Sequence, residues 1–342
     1  MMNDKQIFLA RLGAVFAGDV VQHFGDPRRE LAAAASETII ADVSHEGLLH
    51  ASGADATIFL QGQLTQDISK ITAERAALAG YCSPKGRLLA HFLIWQQDDG
   101  YYLQLPRELV APIQKRLQMF VLRSKVKLQD ISAQSIRFGL AGPEVATLLE
   151  TTFGAVPQSA WTVATSARGR VIAMPGGRYQ VIPSDVAQAC WTELAATAMP
   201  VGSPCWTWLR IKSGIPEIYL ATQEQLVPQM VNDDLIGAVN FQKGCYTGQE
   251  IVARLHYLGK SKRRMYRAHL NSEAAPKPGD LLYSADMQGQ SSGMVVDAAT
   301  SPDRGWDLLA SIQVDSAASQ IVNWLKLGGE PLAVESFSAS AV

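Results

Sequence analysis

The sequence lacks most of the features that identify a protein class at first sight. Its four cysteines, Cys82, Cys190, Cys205 and Cys245, form no C-x-x-C pair, so the close ligand spacing of a zinc site is absent. Cysteine is also too sparse for a secreted disulfide scaffold, and we expect reduced thiols in a cytoplasmic protein. No apolar run approaches about 18 residues, so no membrane span is predicted.

Charge of one sign and the common catalytic signatures are also missing. Thirty basic residues face 32 acidic ones, which argues against a surface built entirely for nucleic acid. No G-x-S-x-G elbow, H-E-x-x-H pair or Walker loop occurs, and no G-x-G-x-x-G follows a predicted strand. The function must therefore be sought in less general motifs.

The pattern of predicted elements indicates an α+β protein of two or three domains, because 342 residues exceed the usual limit of one core. Residues 1–40 are predicted to form a helical arm, and residues 57–68 a helix. Hairpins are predicted over residues 87–105 and 170–182. From residue 263 onward, short alternating segments predict a small antiparallel barrel or sandwich.

The stretch around Cys245 carries the strongest chemical signal. Gly244 and Gly248 flank C-Y-T, and residues 249–258 have helical periodicity. Cys245 is thus predicted in a loop before a helix N-terminus, where the helix dipole and Lys243 would favour the thiolate. The alternative is an inert, buried cysteine that only packs.

Two further features stay open between structure and function. Trp206 and Trp208, two positions apart on a predicted helix, point in different directions, so one can pack while the other lines a pocket. Residues 260–267 contain five basic side chains, which form either a solvated linker or a surface that attracts a polyanion such as RNA.

Several motifs together resemble the YgfZ family, folate-binding relatives of the glycine-cleavage aminomethyltransferase. They are V-P-Q-M-V-N at 227–232, K-G-C-Y-T-G-Q-E at 243–250, Q-G-Q-L-T-Q-D at 61–67 and P-K-G-R at 84–87. The segment W-T-W-L-R-I-K-S-G-I-P at 206–216 resembles another family motif. The resemblance extends from about residue 40 to the end of the chain.

The resemblance implies a GcvT-like fold of three domains around a central folate site, with a C-terminal antiparallel β-barrel. The implied domains are the arm at 1–40, a discontinuous folate-binding domain at 41–134 plus 206–262, a second α+β domain at 135–205, and the barrel at 263–342. The implied cofactor is tetrahydrofolate or another folate derivative.

The implied function is assembly or repair of iron–sulfur clusters, notably for radical enzymes that thiolate tRNA. The expected partners are therefore iron–sulfur enzymes or assembly proteins. Cys245 is the implied reactive residue, with Lys243 beside it. The remaining loop residues are Gly244, Tyr246, Gly248, Gln249, Glu250 and Arg254, and the expected folate contacts are Trp206, Gln63, Arg87 and Asn232. Glu250 and Arg254, four residues apart, are expected to form an ion pair on one helix face.

Departures from the family pattern keep two alternatives open. Where the transferases carry an acidic pair, residues 88–90 read Leu-Leu-Ala, and Lys212 replaces a pterin-pairing glutamate that a donor-only ammonium cannot imitate. Glu46 stands where some members have an aromatic residue. The alternatives are a tetrahydrofolate-dependent one-carbon transferase and a tRNA-binding module that uses residues 260–267.

Overall fold

The computed structural model describes residues 3–184, 187–319 and 321–335. Of the helices in these ranges, none has the length and apolarity needed to cross a membrane. The α-helices are α1 Asp4–Arg11, α2 Pro27–Ser36, α3 Ala56–Gln63, α4 Val110–Val121, α5 Val145–Phe153, α6 Ala187–Leu194, α7 Ser203–Lys212, α8 Gln249–Leu258 and α9 Val314–Ser319.

The strands form three main sheets and one small hairpin. They are β1 Val15–Ala17, β2 Val20–His23, β3 Ile39–Asp42, β4 Gly47–Ser52, β5 Ala77–Cys82, β6 Leu88–Gln97, β7 Gly100–Leu105, β8 Lys127–Asp130, β9 Phe138–Ala141, β10 Val163–Ser166, β11 Gly169–Met174, β12 Arg178–Pro183, β13 Met199–Val201, β14 Arg263–Leu270, β15 Leu281–Tyr283, β16 Ser291–Thr300, β17 Trp306–Gln313, β18 Asn323–Trp324 and β19 Leu332–Glu335.

The first sheet has five antiparallel strands in the order β5-β6-β7-β4-β8. The predicted hairpin over residues 87–105 forms strands β6 and β7 of this sheet. The first eight residues of β6 are all buried, because its two faces are both covered. A strand of this kind reads as a continuous apolar run instead of an alternating one.

The second sheet has six strands in the order β10-β11-β12-β9-β3-β13, antiparallel except for the parallel pair β3 and β13. The predicted hairpin over residues 170–182 forms β11 and β12. The sheet has its own hydrophobic core around the fully buried Trp191. Strand β3 comes from the N-terminal part of the chain and so ties that part to this sheet.

The C-terminal sheet is a curled antiparallel half-barrel in the order β18-β15-β16-β17-β14-β19. In β17, the alternating residues Leu308, Ala310 and Ile312 face the core of this sheet, while Leu309 faces the main core. The alternation that predicted a small barrel is therefore real, although β17 is buried on both faces.

Helix α7 lies where the three sheets meet. It packs against β16 and β17 of the C-terminal sheet and against β3 of the second sheet. Its Trp206 belongs to the same core as the first sheet, and the indole N–H of Trp208 donates to Asp307 of β17 at 2.7 Å. Both tryptophans are buried and belong to this same core, so no pocket-lining role of either ring is established.

The N-terminal segment is not purely helical. Between α1 and α2 the chain forms the hairpin β1–β2, which turns at Gly18 with a φ of +59°. Val15, Val20 and Val21 favour extended backbone here, since β-branched side chains are restricted in a helix. The predicted helical arm at residues 1–40 did not include this hairpin. The domain boundaries given above stay predictions.

Candidate functional site

Lys243 anchors the K-G-C-Y-T-G-Q-E loop to the end of helix α3. Its ammonium donates hydrogen bonds to the carbonyl oxygens of Gln61 at 2.6 Å and Leu64 at 2.5 Å. Carbonyls at a helix C-terminus lack intrahelical partners and carry partial negative charge, so they attract a cation. The helix was predicted to continue to residue 68, but it ends at Gln63, and the backbone of Leu64 is extended.

Burial changes the acid–base chemistry of Lys243. It lowers the pKa of the ammonium from 10.5 to about 8, although the nearby Asp67 carboxylate acts in the opposite direction. The ring of Tyr246 also lies 5.1 Å from Nζ, within the range of a cation–π contact. The ammonium is thus directed towards helix carbonyls and an aromatic ring. That Lys243 activates Cys245 stays a prediction.

Two glycines bring the P-K-G-R turn against the same loop. Gly86 and Gly248 have φ values of +66° and +83°, which favour glycine. A Cβ atom at residue 248 would lie 2.9 Å from the Cα of Gly86 and would collide with the carbonyl oxygen of Ser83. Residues 61–67, 84–87 and 243–250 therefore meet at one place, which we call the motif junction.

Cys245 is the exposed cysteine of the chain, whereas the other three cysteines are buried, as expected for packing residues. Burial raises the pKa of the Cys190 thiol to about 11 and that of Cys205 to about 12. It raises the pKa of Cys82 still further. Of the four thiols, only that of Cys245 is accessible to a partner molecule.

Helix α8 follows Cys245, as the periodicity predicted. Its backbone is held by Gln229, whose amide donates to the carbonyl of Val252 at 2.8 Å. Gln249 is half-buried, whereas Glu250 and Arg254 are both exposed. No ion pair joins the last two side chains in the described part of the chain. The predicted pair is therefore wrong, in keeping with the small energy that solvent-exposed pairs gain.

Trp206, the predicted stacking residue for folate, is 2% exposed. One face of the indole covers Gly139, where an added Cβ would lie 2.6 Å from the ring. The guanidinium carbon of Arg178 lies 5.1 Å from the ring centroid. A folate ring could stack on Trp206 only if Gly139 or Arg178 moved. The predicted stacking of Trp206 on folate stays a prediction.

Of the other predicted folate residues, Arg87 and Asn232 bind backbone groups of the protein. Arg87 donates to the carbonyls of Glu224 at 3.3 Å and Gln225 at 2.9 Å. Asn232 exchanges two hydrogen bonds with the backbone of Met265 and is 1% exposed. Gln63 has a buried side-chain oxygen without a hydrogen-bond partner in the described residues.

A buried cluster of charged side chains lies around helix α7, and we call it the charged hub. Its members are Glu46, Arg137, Arg178, Arg210, Glu217 and Asp297. Arg210 is its centre: it forms an ion pair with Glu217, lies 2.8 Å from Asp297, and approaches Glu46 at 3.8 Å. Burial favours the uncharged forms and raises the pKa of Glu217 and Asp297, while Arg210 opposes this shift.

Two guanidinium groups of the hub are only partly satisfied. Arg178 has no exposed surface, and neither of its terminal nitrogens has a partner within the described residues. Arg137 donates to the carbonyl of Glu46 at 2.7 Å but leaves Nε and Nη1 without partners there. Burial lowers the pKa of Arg178 to about 9 and that of Arg137 to about 10.

A short chain of amides completes the hub. Gln104 donates to the Glu46 carboxylate and exchanges hydrogen bonds with Gln180 at 2.8 and 3.0 Å. Glu46 was predicted only as a departure from the family pattern, and the hub as a whole was not predicted. A charged residue inside an apolar stretch, such as Asp297 in M-V-V-D-A-A or Arg137 in I-R-F-G-L, was the available signal.

A cleft of about 550 Å³ lies beside the motif junction. Its walls come from the segment that leads into β5, from Trp161 just before β10, from residues 236–242 before the K-G-C-Y-T-G-Q-E segment, and from the end of α8. We call it the aromatic cleft, defined by Lys70, Arg75, Trp161, Phe241, His256 and Tyr257. Asp67 also lines this cleft.

The basic run at residues 260–267 is largely committed to internal contacts. Arg264 forms an ion pair with Asp234 at 2.6 Å, and Arg267 donates to the carbonyl of Lys212 at 3.0 Å. Arg263 donates to the carbonyl of Ser291 at 3.2 Å. Only Lys260 and Lys262 remain exposed without a side-chain partner in the described ranges.

Comparison with known proteins gives three findings. Residues 12–176 match the family model of the GCVT N-terminal domain. Curated relatives include the tRNA-modifying protein YgfZ of Edwardsiella ictaluri (strain 93-146) and that of Yersinia pestis (strain Pestoides F). Each is 29% identical over 279 residues, which cover 80% of this chain and 84% of the relative.

Among solved structures, the glycine cleavage system aminomethyltransferase T from Bartonella henselae is similar over nearly its whole length. The TM-score is 0.78, and the match covers 98% of this chain and 96% of the other. At 16% identity this likeness establishes the fold only. The predicted GcvT-like α+β fold is confirmed, and the predicted C-terminal antiparallel β-barrel is present as a curled sheet, a half-barrel.

Proposed function

Because this chain is a relative of the YgfZ proteins, as its motifs predicted, we propose that it is a folate-binding accessory protein for iron–sulfur enzymes that modify tRNA. Cys245 is its reactive group. The observation that carries the proposal is the motif junction, where three separate segments meet to present one exposed thiol.

The thiol is held in a fixed place. Lys243 fastens the loop on one side of Cys245, and the close packing of Gly248 against Gly86 fastens it on the other. Helix α8 begins four residues later and holds the other end of the loop. An exposed cysteine side chain in this setting can bind a cluster iron through its sulfur or act as a nucleophile towards a sulfur or one-carbon group.

The charged hub supplies the chemistry that a folate ring requires. One edge of a pterin carries N–H groups, which can donate hydrogen bonds to a carboxylate. Its acceptor atoms can receive hydrogen bonds from a guanidinium. Glu46 and Glu217 are carboxylates of the hub, and Arg178 has two N–H groups without partners among the described residues. A bound folate would supply a carrier for one-carbon units. Its entry would require the closed hub side chains to separate.

Folate binding can be tested by titrating the protein with 5-formyltetrahydrofolate in a calorimeter. We expect Arg178→Met to weaken binding at least tenfold, since the mutant loses the unpaired donors. Arg168→Met is the control, because Arg168 forms an exposed ion pair with Glu193 and should bind folate normally. Unchanged affinity in Arg178→Met would remove the hub from the folate site. Trp206→Phe tests the predicted stacking contact in the same assay.

The role of the thiol can be tested in cells that lack the endogenous relative, by measuring thiolated tRNA. We expect Cys245→Ser to lower the thiolated fraction at least fivefold. Thr247→Ser, in the same loop, should retain wild-type levels. Wild-type thiolation with Cys245→Ser would contradict the proposed function, whatever the folate affinity.

A one-carbon transferase remains the second candidate, because the hub contains carboxylates that the P-K-G-R turn lacks. Glu46 and Glu217 could orient a folate amine in place of the missing acidic pair. Incubation with aminomethylated carrier protein and tetrahydrofolate tests this directly. Release of ammonia that depends on Glu46 would support the transferase, and its absence would exclude it.

A further inference from the structure

The aromatic cleft contains an arrangement of rings that the proposed function does not use. The rings of Phe241 and His256 stack with centroids 3.7 Å apart and planes inclined by 12°. Tyr257 stands edge-on to His256 at 4.8 Å and is 64% exposed. Beyond these edge contacts most of the Tyr257 ring is open to solvent, so it is available to a flat ligand.

Trp161 lies in the turn just before β10 and forms part of the cleft wall. It has a φ of +67°, an unusual value for a bulky residue. Backbone hydrogen bonds fix it, with its N–H donating to Ala173 at 2.7 Å and its carbonyl accepting from Ala76 at 2.8 Å. The indole is half-buried and lines the cleft. The fold therefore holds a second aromatic side chain in place at a strained backbone position.

The charge of the cleft is positive. Lys70 and Arg75 are exposed, and the Arg75 guanidinium has no ion-pair or hydrogen-bond partner in the part of the chain described. Asp67 offsets one charge: it lies 3.9 Å from the Lys70 ammonium and accepts a hydrogen bond from Ser69 at 2.7 Å. Two cations against one carboxylate leave one net positive charge. The exposed Lys260 follows Tyr257 by three residues, which places the two Cα atoms within about 11 Å.

We infer that the aromatic cleft binds a single-stranded segment of RNA, with bases stacked on Tyr257 and Trp161 and phosphates near Lys70, Arg75 and Lys260. Single-stranded nucleic acid is recognised by this combination of stacking rings and cations. The inference rests on the proposed function, since relatives of this chain are named tRNA-modifying proteins.

The position of the cleft fits an RNA role for the neighbouring thiol. Gln242 lines the cleft and precedes Cys245 by three residues, so their Cα atoms lie within about 11 Å of each other. A nucleotide in the cleft would therefore lie near the exposed thiol. Apart from Lys260, the cleft does not use the basic run, whose arginines are largely engaged in internal contacts.

The inference can be tested with a fluorescein-labelled, unmodified tRNA transcript and the full-length protein at several salt concentrations. We expect Tyr257→Ala and Trp161→Ala each to weaken binding roughly tenfold, the usual effect of removing one stacking ring. Leu258→Ala is the matched control, because Leu258 lies beside Tyr257 at the end of α8 and is 84% exposed but does not line the cleft. Melting curves establish that each variant is folded.

The cations are tested by salt dependence. Lys70→Ala with Arg75→Ala should reduce the slope of log affinity against log salt by about 1 to 2, whereas Lys127→Ala should leave it unchanged. Wild-type affinity in the cleft variants, equal losses in the controls, or no binding by the wild type at low salt would each overturn the inference. A loss of 5-formyltetrahydrofolate binding in Tyr257→Ala, with tRNA binding intact, would overturn it in favour of folate.

These outcomes are separate from those of the proposed function. If the cleft variants bind tRNA normally while Cys245→Ser still lacks thiolation activity, the cleft inference fails and the proposed function stands. If Cys245→Ser is fully active while the cleft variants lose tRNA, the proposed role of the thiol fails and the cleft stands as an RNA site.

Discussion

The motif junction and the charged hub both join distant parts of the chain, but different kinds of contact hold them together. At the junction, the partners are mainly backbone groups: Lys243 binds two carbonyl oxygens, and Gly248 packs on Gly86. At the hub, the partners are ionised side chains grouped around Arg210. Backbone contacts fix one geometry, whereas buried charges depend on every partner being present.

The largest expected effect comes from removing the central cation of the hub. Arg210→Met leaves the buried carboxylates of Glu217 and Asp297 without their counter-ion, which should lower the free energy of unfolding by about 3–5 kcal/mol. Urea denaturation measures this change. Arg168→Met, which breaks the exposed pair with Glu193, should cost less than about 1 kcal/mol.

A loss in Arg210→Met no larger than in Arg168→Met would show that the hub is not held by its charges. If Arg210→Met does not fold, Arg210→Lys keeps the test possible, because lysine retains the charge but not the geometry of the fork. We expect Arg210→Lys to fold with reduced stability.

The second prediction concerns the glycine contact at the motif junction. Gly248→Ala should destabilise the protein by about 2 kcal/mol or more, because it adds backbone strain at positive φ to a collision with backbone atoms. Gly237 also has a positive φ, +76°, but has open space around it, so Gly237→Ala isolates the strain at about 1 kcal/mol. Gly244→Ala, with an ordinary φ and open space, should have almost no effect.

Equal losses of stability in Gly248→Ala and Gly237→Ala would mean that the close packing of the K-G-C-Y-T-G-Q-E loop on the P-K-G-R turn contributes nothing to stability. The ordering 248, 237, 244 is what the geometry requires, and thermal or urea unfolding of the three variants determines it. If the three variants also lower the level of thiolated tRNA in this order, the loop acts by holding Cys245 in place.

The contrast between the two regions explains what the sequence could predict. A tight backbone approach requires glycine at fixed positions, and a helix end favours a cation at a fixed distance, so the junction appears as short motifs such as K-G-C-Y-T-G-Q-E. The loop position of Cys245 and the helix after it were predicted in this way, whereas the two hairpins were predicted from alternating segments around turn residues. The resemblance to a known family rests on the same motifs.

The hub left no such pattern in the sequence. Its charges come from positions as far apart as Glu46 and Asp297, and only the fold makes them neighbours. A buried charge pair needs complementary partners in space, and any spacing along the chain will serve. For the same reason the sequence predicted an ion pair between Glu250 and Arg254, where the structure has none, and overlooked the pairs that are buried.

The third prediction concerns the acid–base behaviour of Lys243. Its pKa falls from 10.5 to about 8 on folding because the ammonium is buried, so between these values the unfolded chain holds more protons than the folded one. Stability therefore rises with pH across this window. We expect Lys243→Met to lose that rise, so that its stability relative to wild type falls by about 2 kcal/mol between pH 7.5 and 9.5.

The measurement is urea denaturation of both proteins at several pH values, with Lys127→Met as an exposed control. Parallel pH profiles for wild type and Lys243→Met would contradict the burial of the ammonium. A difference of opposite sign would mean that folding raises the lysine pKa, as expected for a lysine that is paired with Asp67 and not desolvated.

The smallest expected effect separates structure from function at the junction. Arg254 is an exposed member of helix α8 without an ion pair to Glu250, so Arg254→Ala should change the free energy of unfolding by less than about 0.5 kcal/mol. If Arg254 contacts a ligand or partner, the level of thiolated tRNA should still fall severalfold in Arg254→Ala. A loss of stability above about 1 kcal/mol would instead assign Arg254 to the scaffold, since a surface side chain with no partner has little stability to lose. Both measurements on one variant therefore decide whether the exposed side of α8 faces a client enzyme or only solvent.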